Sequence, residues 1–181
     1  MTRGRLIAVV GPSGVGKDSV MQGIAAAVPD IHLVRRVITR APNLGGEDYD
    51  AVSETRFRDL VNEGAFAVHW GAHGLFYGIP QSVHLQLKQG MDCLANFSRK
   101  ALRAGATVFP DFIVLNITAR PETLASRLAA RGREPKADIA RRLSEAHKPL
   151  PEGLDVITLS NDSALDQTVS RAVSLLQPVR G

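Results

Sequence analysis

With 181 residues, 44% hydrophobic and 22% charged, the chain can bury one sizeable core and is too short to favour two full domains. Its net charge of +4 is carried by dispersed lysines and arginines, and aromatics make up only 5%. That composition lacks the stacking platform of a nucleic-acid binder and suits small polyphosphate ligands. The single cysteine, Cys93, excludes an internal disulfide, and no run approaches the length of a membrane span. A reduced, cytoplasmic setting with no nucleic-acid or membrane partner is therefore expected.

The first element is the apolar run Leu6–Val10, a strand that feeds Gly11, Pro12, Ser13, Gly14, Val15, Gly16, Lys17, Asp18 and Ser19. Strand, glycine turn and helix in that order make a P-loop. Successive backbone N–H groups point into one concavity, the helix adds its positive end, and Lys17 reaches the terminal phosphates of a nucleotide. One position departs from the pattern: Asp18 stands where a Ser or Thr hydroxyl normally meets Mg²⁺, with Ser19 one place later. Two readings of Asp18 remain open, a ligand for Mg²⁺ held directly or through water, and a favourable charge in the first turn of a helix.

A helix is predicted over 17–28, followed by strand-like runs at 32–38, 92–97, 112–117 and 156–159. Further helices are predicted over 53–63, with Ser53 as N-cap, and over 121–131, 137–147 and 163–176. The alternation implies an α/β, P-loop NTPase fold, a parallel sheet flanked by helices, in one domain spanning 1–181. Two inserts break the rhythm. Residues 39–80 are glycine-rich and polar, then aromatic with Phe66, Trp70, Phe76 and Tyr77, as a substrate-binding flap would be. Residues 130–148 hold Arg131, Arg133, Arg141 and Arg142 around Gly132 and Pro135, as a mobile lid would.

From the P-loop onward the motif order resembles the guanylate kinase group of nucleoside monophosphate kinases over nearly the whole chain. Ile38-Thr39-Arg40-Ala41-Pro42 resembles that group's acceptor-phosphate motif, and Asp48-Tyr49-Asp50-Ala51-Val52-Ser53 its Asp-Tyr-x-Phe-Val-Ser. Tyr77-Gly78 is similar to its second phosphate-binding tyrosine, Arg127 to Gly132 to its lid entry, Arg142-Leu143 to its lid exit, and Asn161-Asp162 to its adenine-side loop. The guanine-reading positions depart: Arg36 stands for a base-contacting serine, Val68 for the guanine-reading glutamate and Ile79 for the serine after Tyr-Gly. The second motif arginine falls on Asn43, and two acids of the third strand on Asn96 and Ser98. A guanine left unpaired against Val68 and Ile79 would cost several kcal/mol.

A closer resemblance is to the ribose 1,5-bisphosphate phosphokinases of phosphonate catabolism. It rests on Gly16-Lys17-Asp18-Ser19, on Trp70, Ala72, Gly74, Leu75, Tyr77 and Gly78, on Asn96, Ser98 and Arg99, and on Arg131 to Glu134. This resemblance implies a kinase that uses ATP and Mg²⁺ to convert ribose 1,5-bisphosphate to 5-phosphoribosyl 1-diphosphate. Lys17, Arg131 and Arg142 would act on the transferring phosphoryl, Arg40, Tyr49, Tyr77, Asn96, Ser98 and Arg99 on the acceptor, and Asn161 on the ATP side. Tyr77 is equally readable as packing and Asn161 as a helix cap, while Trp70 reads as core beneath the flap. The alternatives are a nucleoside monophosphate kinase of altered base preference and a silent guanylate-kinase-like binding module. Oligomeric state leaves no trace in the sequence.

Overall fold

The structure, a computed structural model, describes residues 3–12, 14–42, 47–131 and 150–177, with Arg131 described by its main chain alone. In chain order the strands are β1 (Leu6–Val10), β2 (His32–Leu33), β3 (Arg36–Ile38), β4 (Tyr49–Ala51), β5 (Phe66–Ala72), β6 (Leu75–Pro80), β7 (Cys93–Asn96), β8 (Phe112–Thr118) and β9 (Val156–Ser160). The helices are α1 (Lys17–Ala27), α2 (Glu54–Asn62), α3 (Val83–Lys88), α4 (Leu102–Val108), α5 (Pro121–Arg131) and α6 (Leu165–Leu176), with a 3-10 turn at Arg99–Ala101.

Five strands form a parallel sheet in the order β2-β7-β1-β8-β9. Its middle strand β1 is buried along its whole length, because alternate side chains serve opposite faces. Ile7 and Val9 join Val20, Ile24, Leu115 and Ile117 under α1 and α6. Leu6, Ala8 and Val10 join Phe97, Leu102, Phe109 and Val114 on the other face. A methylene-rich side chain removed from either layer, such as Ile117→Ala, costs roughly 2–5 kcal/mol. Neighbours β7 and β8 flank β1, so the chain leaving β1 enters the crevice where the strand order reverses, the usual ligand position of such sheets.

The second sheet runs β4-β3-β6-β5. Its strands went unrecognised in the flap segment, and the predicted run 32–38 is two strands in two sheets. β2 pairs with β7, whereas β3 pairs with β4 and β6; Val34 and Arg35 carry the chain across. The hairpin β5–β6 closes through His73 and Gly74, both with positive φ (54° and 75°), the signature of a two-residue type I′ turn. His73 thus has a turn role and no chemistry is required of it. Alternation sorts the faces from Val68 onward, and a register irregularity between Phe66 and Val68 turns Phe66 to the opposite face. Val37 and Phe66 pack outward on Phe57 of α2, while Val68, Trp70 and Ile79 face the core of the first sheet.

Helix boundaries follow their chemical signals. Ser53 caps α2 by accepting from the Arg56 N–H at 3.1 Å, and Pro121 opens α5, where its missing N–H costs nothing. Two helices, α3 and α4, lay unpredicted in the sequence, the first only six residues long. The predicted helix 137–147 and most of the proposed lid fall outside the described residues. Among the described residues no helix is long and apolar enough to cross a membrane. Cys93 is buried, and burial followed by the neighbouring Asp92 charge pushes its thiol up to about 12, so it stays protonated and inert.

Candidate active site

The glycine turn after β1 wraps toward α1 with Gly16 as its N-cap residue, in the left-handed conformation (φ 86°). Space as well as backbone demands glycine there, because an added Cβ would lie 2.8 Å from the Asn161 amide nitrogen. That nitrogen donates to the Val15 carbonyl at 2.7 Å, and Arg127 of α5 donates to the same oxygen at 3.0 Å. Arg127 also donates to the Asn161 carbonyl at 2.8 Å. The turn is therefore held from behind by two side chains from distant elements. Nearby, the Asp162 carboxylate accepts from the Arg120 N–H at 2.9 Å and from the Ser160 hydroxyl at 2.8 Å. The Arg120 bond leads in holding that carboxyl down at about 2.

Asn161 braces the phosphate turn from behind. It is buried, its amide nitrogen donates to Val15, and its amide oxygen accepts from Thr168 Oγ1 at 2.7 Å. The side chain keeps a second amide N–H beyond these bonds, and it does not cap α6, whose N-cap residue is Ala164. No residue-level signal in the sequence distinguishes this brace from a base contact.

At the front of the turn, burial lowers the Lys17 ammonium to about 8, with the nearby Arg36 charge the next cause and Asp18 and Glu47 opposing it. The Asp18 carboxyl shifts upward, first through burial and then through Glu47. Asn96, at the end of β7, sends its amide toward both acids, 3.5 Å from Asp18 Oδ1 and 3.4 Å from Glu47 Oε1. Lys17, Asp18 and Asn96 are thus brought together as expected, and Arg99 is close enough for its charge to bear on Lys17. Ser19 is exposed one step along α1, and Ser13 and Arg142 lie outside the described residues.

Arg36 and Glu47 were missed as site residues. The Arg36 side chain is 6% exposed, its Nε donates to Glu47 Oε2 at 2.9 Å, and Nη2 donates to Oε1. Its guanidinium lies 4.7 Å from the Tyr77 ring centroid and 5.9 Å from that of Trp70. Those two rings stack on each other, Trp70 also stacks on Phe97, and its indole N–H donates to Ser98 Oγ at 2.9 Å. Trp70 is the core residue predicted, and it holds the Ser98 hydroxyl. Tyr77 is half-buried and both packs and floors the cleft. Its neighbour Gly78 admits the Phe66 ring on the opposite face, where an added Cβ would lie 2.4 Å from that ring, so internal packing requires glycine there.

The acceptor side continues at Arg40, whose guanidinium lies 5.5 Å from the Tyr49 ring centroid, while the Tyr49 hydroxyl donates to the Ala41 carbonyl. Arg40 and Tyr49 border an open depression of about 630 Å³. The positions corresponding to guanine readers are shut: Ile79 is fully buried and Val68 nearly so, both within the core.

The family model described as guanylate kinase matches residues 3–178. Over 179 residues the chain is 51% identical to the ribose 1,5-bisphosphate phosphokinase PhnN of Ruegeria sp. (strain TM1040), covering 98% of this chain and 94% of that relative. The chain belongs to the guanylate kinase family and groups there with the ribose 1,5-bisphosphate phosphokinases. It is also 45% identical to the enzyme of that name from Agrobacterium fabrum, over 97% of this chain and 98% of the relative. Among solved structures, guanylate kinase from Anaplasma phagocytophilum superposes with a TM-score of 0.74 at 20% identity, over 97% of this chain and 85% of that one. At that identity the likeness speaks for the fold alone, a P-loop kinase sheet with an inserted second sheet. Use of ATP by this family implies a divalent metal and small-molecule substrates.

Proposed function

We propose that this chain is an ATP-dependent phosphotransferase that moves the γ-phosphoryl of ATP to the 1-phosphate of ribose 1,5-bisphosphate, giving 5-phosphoribosyl 1-diphosphate and ADP in phosphonate catabolism. The observation that carries it is a buried Arg36–Glu47 pair at the position that resembles the base-contacting serine of guanylate kinases, with Val68 and Ile79 buried in the core. A cleft rich in cations and closed to a base suits an acceptor with anionic groups at both ends.

In the step itself an acceptor phosphate oxygen attacks the γ-phosphorus, and the bond to the β,γ-bridging oxygen breaks as ADP leaves. An acceptor phosphate with a second pKa near ~6 is largely dianionic at neutral pH, so no carboxylate base is required. This accounts for an active cleft in which Asn96 and Ser98 occupy positions of acids. Phosphoryl transfer then depends on positioning and charge neutralisation. Gly11 to Gly16 cradle the ATP phosphates, Lys17 neutralises them, and Arg40 with Tyr49, Tyr77, Asn96, Ser98 and Arg99 clamps the acceptor. Arg131, beside Gly132, and Arg142, before Leu143, are assigned to the transferring phosphoryl within a lid at 130–148, on their resemblance to a lid entry and a lid exit. The insert 39–80 is the acceptor-binding part of a single kinase domain covering 1–181.

The donors at the head of α1 fit a hard cation. Asp18 presents a carboxylate beside the phosphate-binding lysine, in a place where burial and Glu47 disfavour its charge unless a cation arrives. Asp18, with Ser19, would hold Mg²⁺, which would supply charge neutralisation to the ATP phosphates.

Acceptor competition tests the reading. Kinetics with ribose 1,5-bisphosphate and with GMP, both with ATP, are expected to give a far higher kcat/KM for the sugar bisphosphate. Comparable values for GMP would move the assignment to a nucleoside monophosphate kinase, and no turnover of either acceptor would favour a silent binding module.

A further inference from the structure

Resting on the sugar-bisphosphate reading, we infer that Arg36, clamped by Glu47 and laid over Tyr77, binds the second phosphate of the acceptor, the one that does not receive the phosphoryl, and so sets the preference for a bisphosphate.

The argument begins with the cost of the pair. Arg36 and Glu47 are both largely removed from water, with side chains 6% and 17% exposed. Desolvating two such charges consumes most of what their attraction returns, and apolar side chains of the same volume frequently stabilise as well or better. Packing against Trp70 and Tyr77 would be met equally by a methionine. Stability therefore does not explain a guanidinium here. Glu47 engages two of its five N–H donors, side-on through Nε and Nη2, which fixes the plane of the fork. A rigid, planar, partly desolvated fork is the group that takes a phosphate in two parallel hydrogen bonds.

Position gives the second half. β3 pairs Arg36 with Tyr49 and Ile38 with Tyr77, so Arg36, Tyr49 and Tyr77 share the sheet face turned toward the P-loop. Arg40 lies over Tyr49 and Arg36 over Tyr77. The two arginines are four residues apart, or ~13 Å of extended chain, and the long stem of Arg40 gives it reach from the fixed Arg36. They can grip the two ends of one phosphorylated pentose. A nucleoside monophosphate offers only one phosphate to this face and would leave the second cation facing a base.

The test separates the two ends of the sugar. Titration calorimetry on the full chain measures binding of ribose 5-phosphate, ribose 1-phosphate and ribose 1,5-bisphosphate to the wild type, to Arg36→Met, and to Arg36→Met/Glu47→Leu. The double variant leaves no unpaired buried carboxylate and keeps the volume, so a folding failure of the single variant does not end the experiment. Ribose 5-phosphate and the bisphosphate are expected to bind about 10- to 100-fold more weakly in the variants, with ribose 1-phosphate and ATP changed less than about two-fold. Equal loss for the two monophosphates, or no loss for ribose 5-phosphate, overturns the inference. Because these are affinities of the free protein, a wild type that binds but does not phosphorylate the bisphosphate would refute the proposed reaction and still decide the role of Arg36.

Discussion

Replacing Asn161 by alanine separates a brace from a base reader. The substitution removes two buried hydrogen bonds of 2.7 Å, one to the Val15 carbonyl and one from Thr168. Each is worth ~1 kcal/mol net, with more lost where a buried partner is orphaned. The losses are limited here, since Arg127 still donates to Val15 and Thr168 has a longer bond, 3.4 Å, to the Ala164 carbonyl. A total of about 2–3 kcal/mol follows, and at roughly 2–4 °C per kcal/mol for a chain of this size Tm falls by about 4–12 °C. Because the brace acts on the phosphate turn, ATP and GTP affinities should fall together, their ratio constant within about two-fold. Differential scanning calorimetry and nucleotide titration on the same samples decide it. An unchanged Tm with ATP binding selectively weakened would show Asn161 to be a base contact and the brace to be incidental.

Lys17, held near 8, is partly neutral at mildly alkaline pH, and a bound polyphosphate favours its charged form, so ATP binding should take up a proton around pH 8 and above. Calorimetry in buffers of different ionisation enthalpy reads that uptake, and its survival in Lys17→Met would assign it elsewhere. Since the unfolded lysine keeps its proton to about 10.5, stability of the free protein rises with pH between about 8 and 10.5, and Lys17→Met should abolish that rise. Asp18→Asn should raise the Mg²⁺ concentration for half-maximal rate and alter preference among divalent ions; an unchanged metal titration would leave Asp18 a helix-dipole residue. Arg40→Ala should lose roughly 2–5 kcal/mol of transition-state stabilisation with ATP affinity nearly intact, and an equal loss in both would move Arg40 to the nucleotide side.

The parts of the protein legible in the sequence are those whose physics is local. Leu6–Val10 with its glycines, the Ser53 cap and Pro121 announce their elements through residue type and spacing, and the strands at Cys93, Phe112 and Val156 through apolar runs. In the second sheet β3 and β4 stayed hidden because they are short and polar, whereas β5, seven residues with Phe66, Val68 and Trp70 in alternation, carried a strand pattern that the reading of an aromatic flap passed over. β3 has three residues, one of them arginine, and β4 reads Tyr-Asp-Ala, so neither shows two clear periods of alternation. The hairpin turn at His73-Gly74 added only a weak signal, without Asn or Asp. The site divides the same way. Lys17 and Asp18 follow from the motif, but the pairing of Arg36 with Glu47 depends on two strands meeting, and Asn161 reaches Val15 across 146 residues of chain.

The most direct measurement of the central claim is phosphorus NMR of the products formed when the protein is mixed with ATP, Mg²⁺ and ribose 1,5-bisphosphate. The account predicts that the 1-phosphate signal is replaced by the coupled pair of a sugar diphosphate, in step with ADP and with the 5-phosphate signal retained. ADP accumulating with the sugar bisphosphate unchanged, or a new phosphoanhydride on the 5-phosphate, would contradict it.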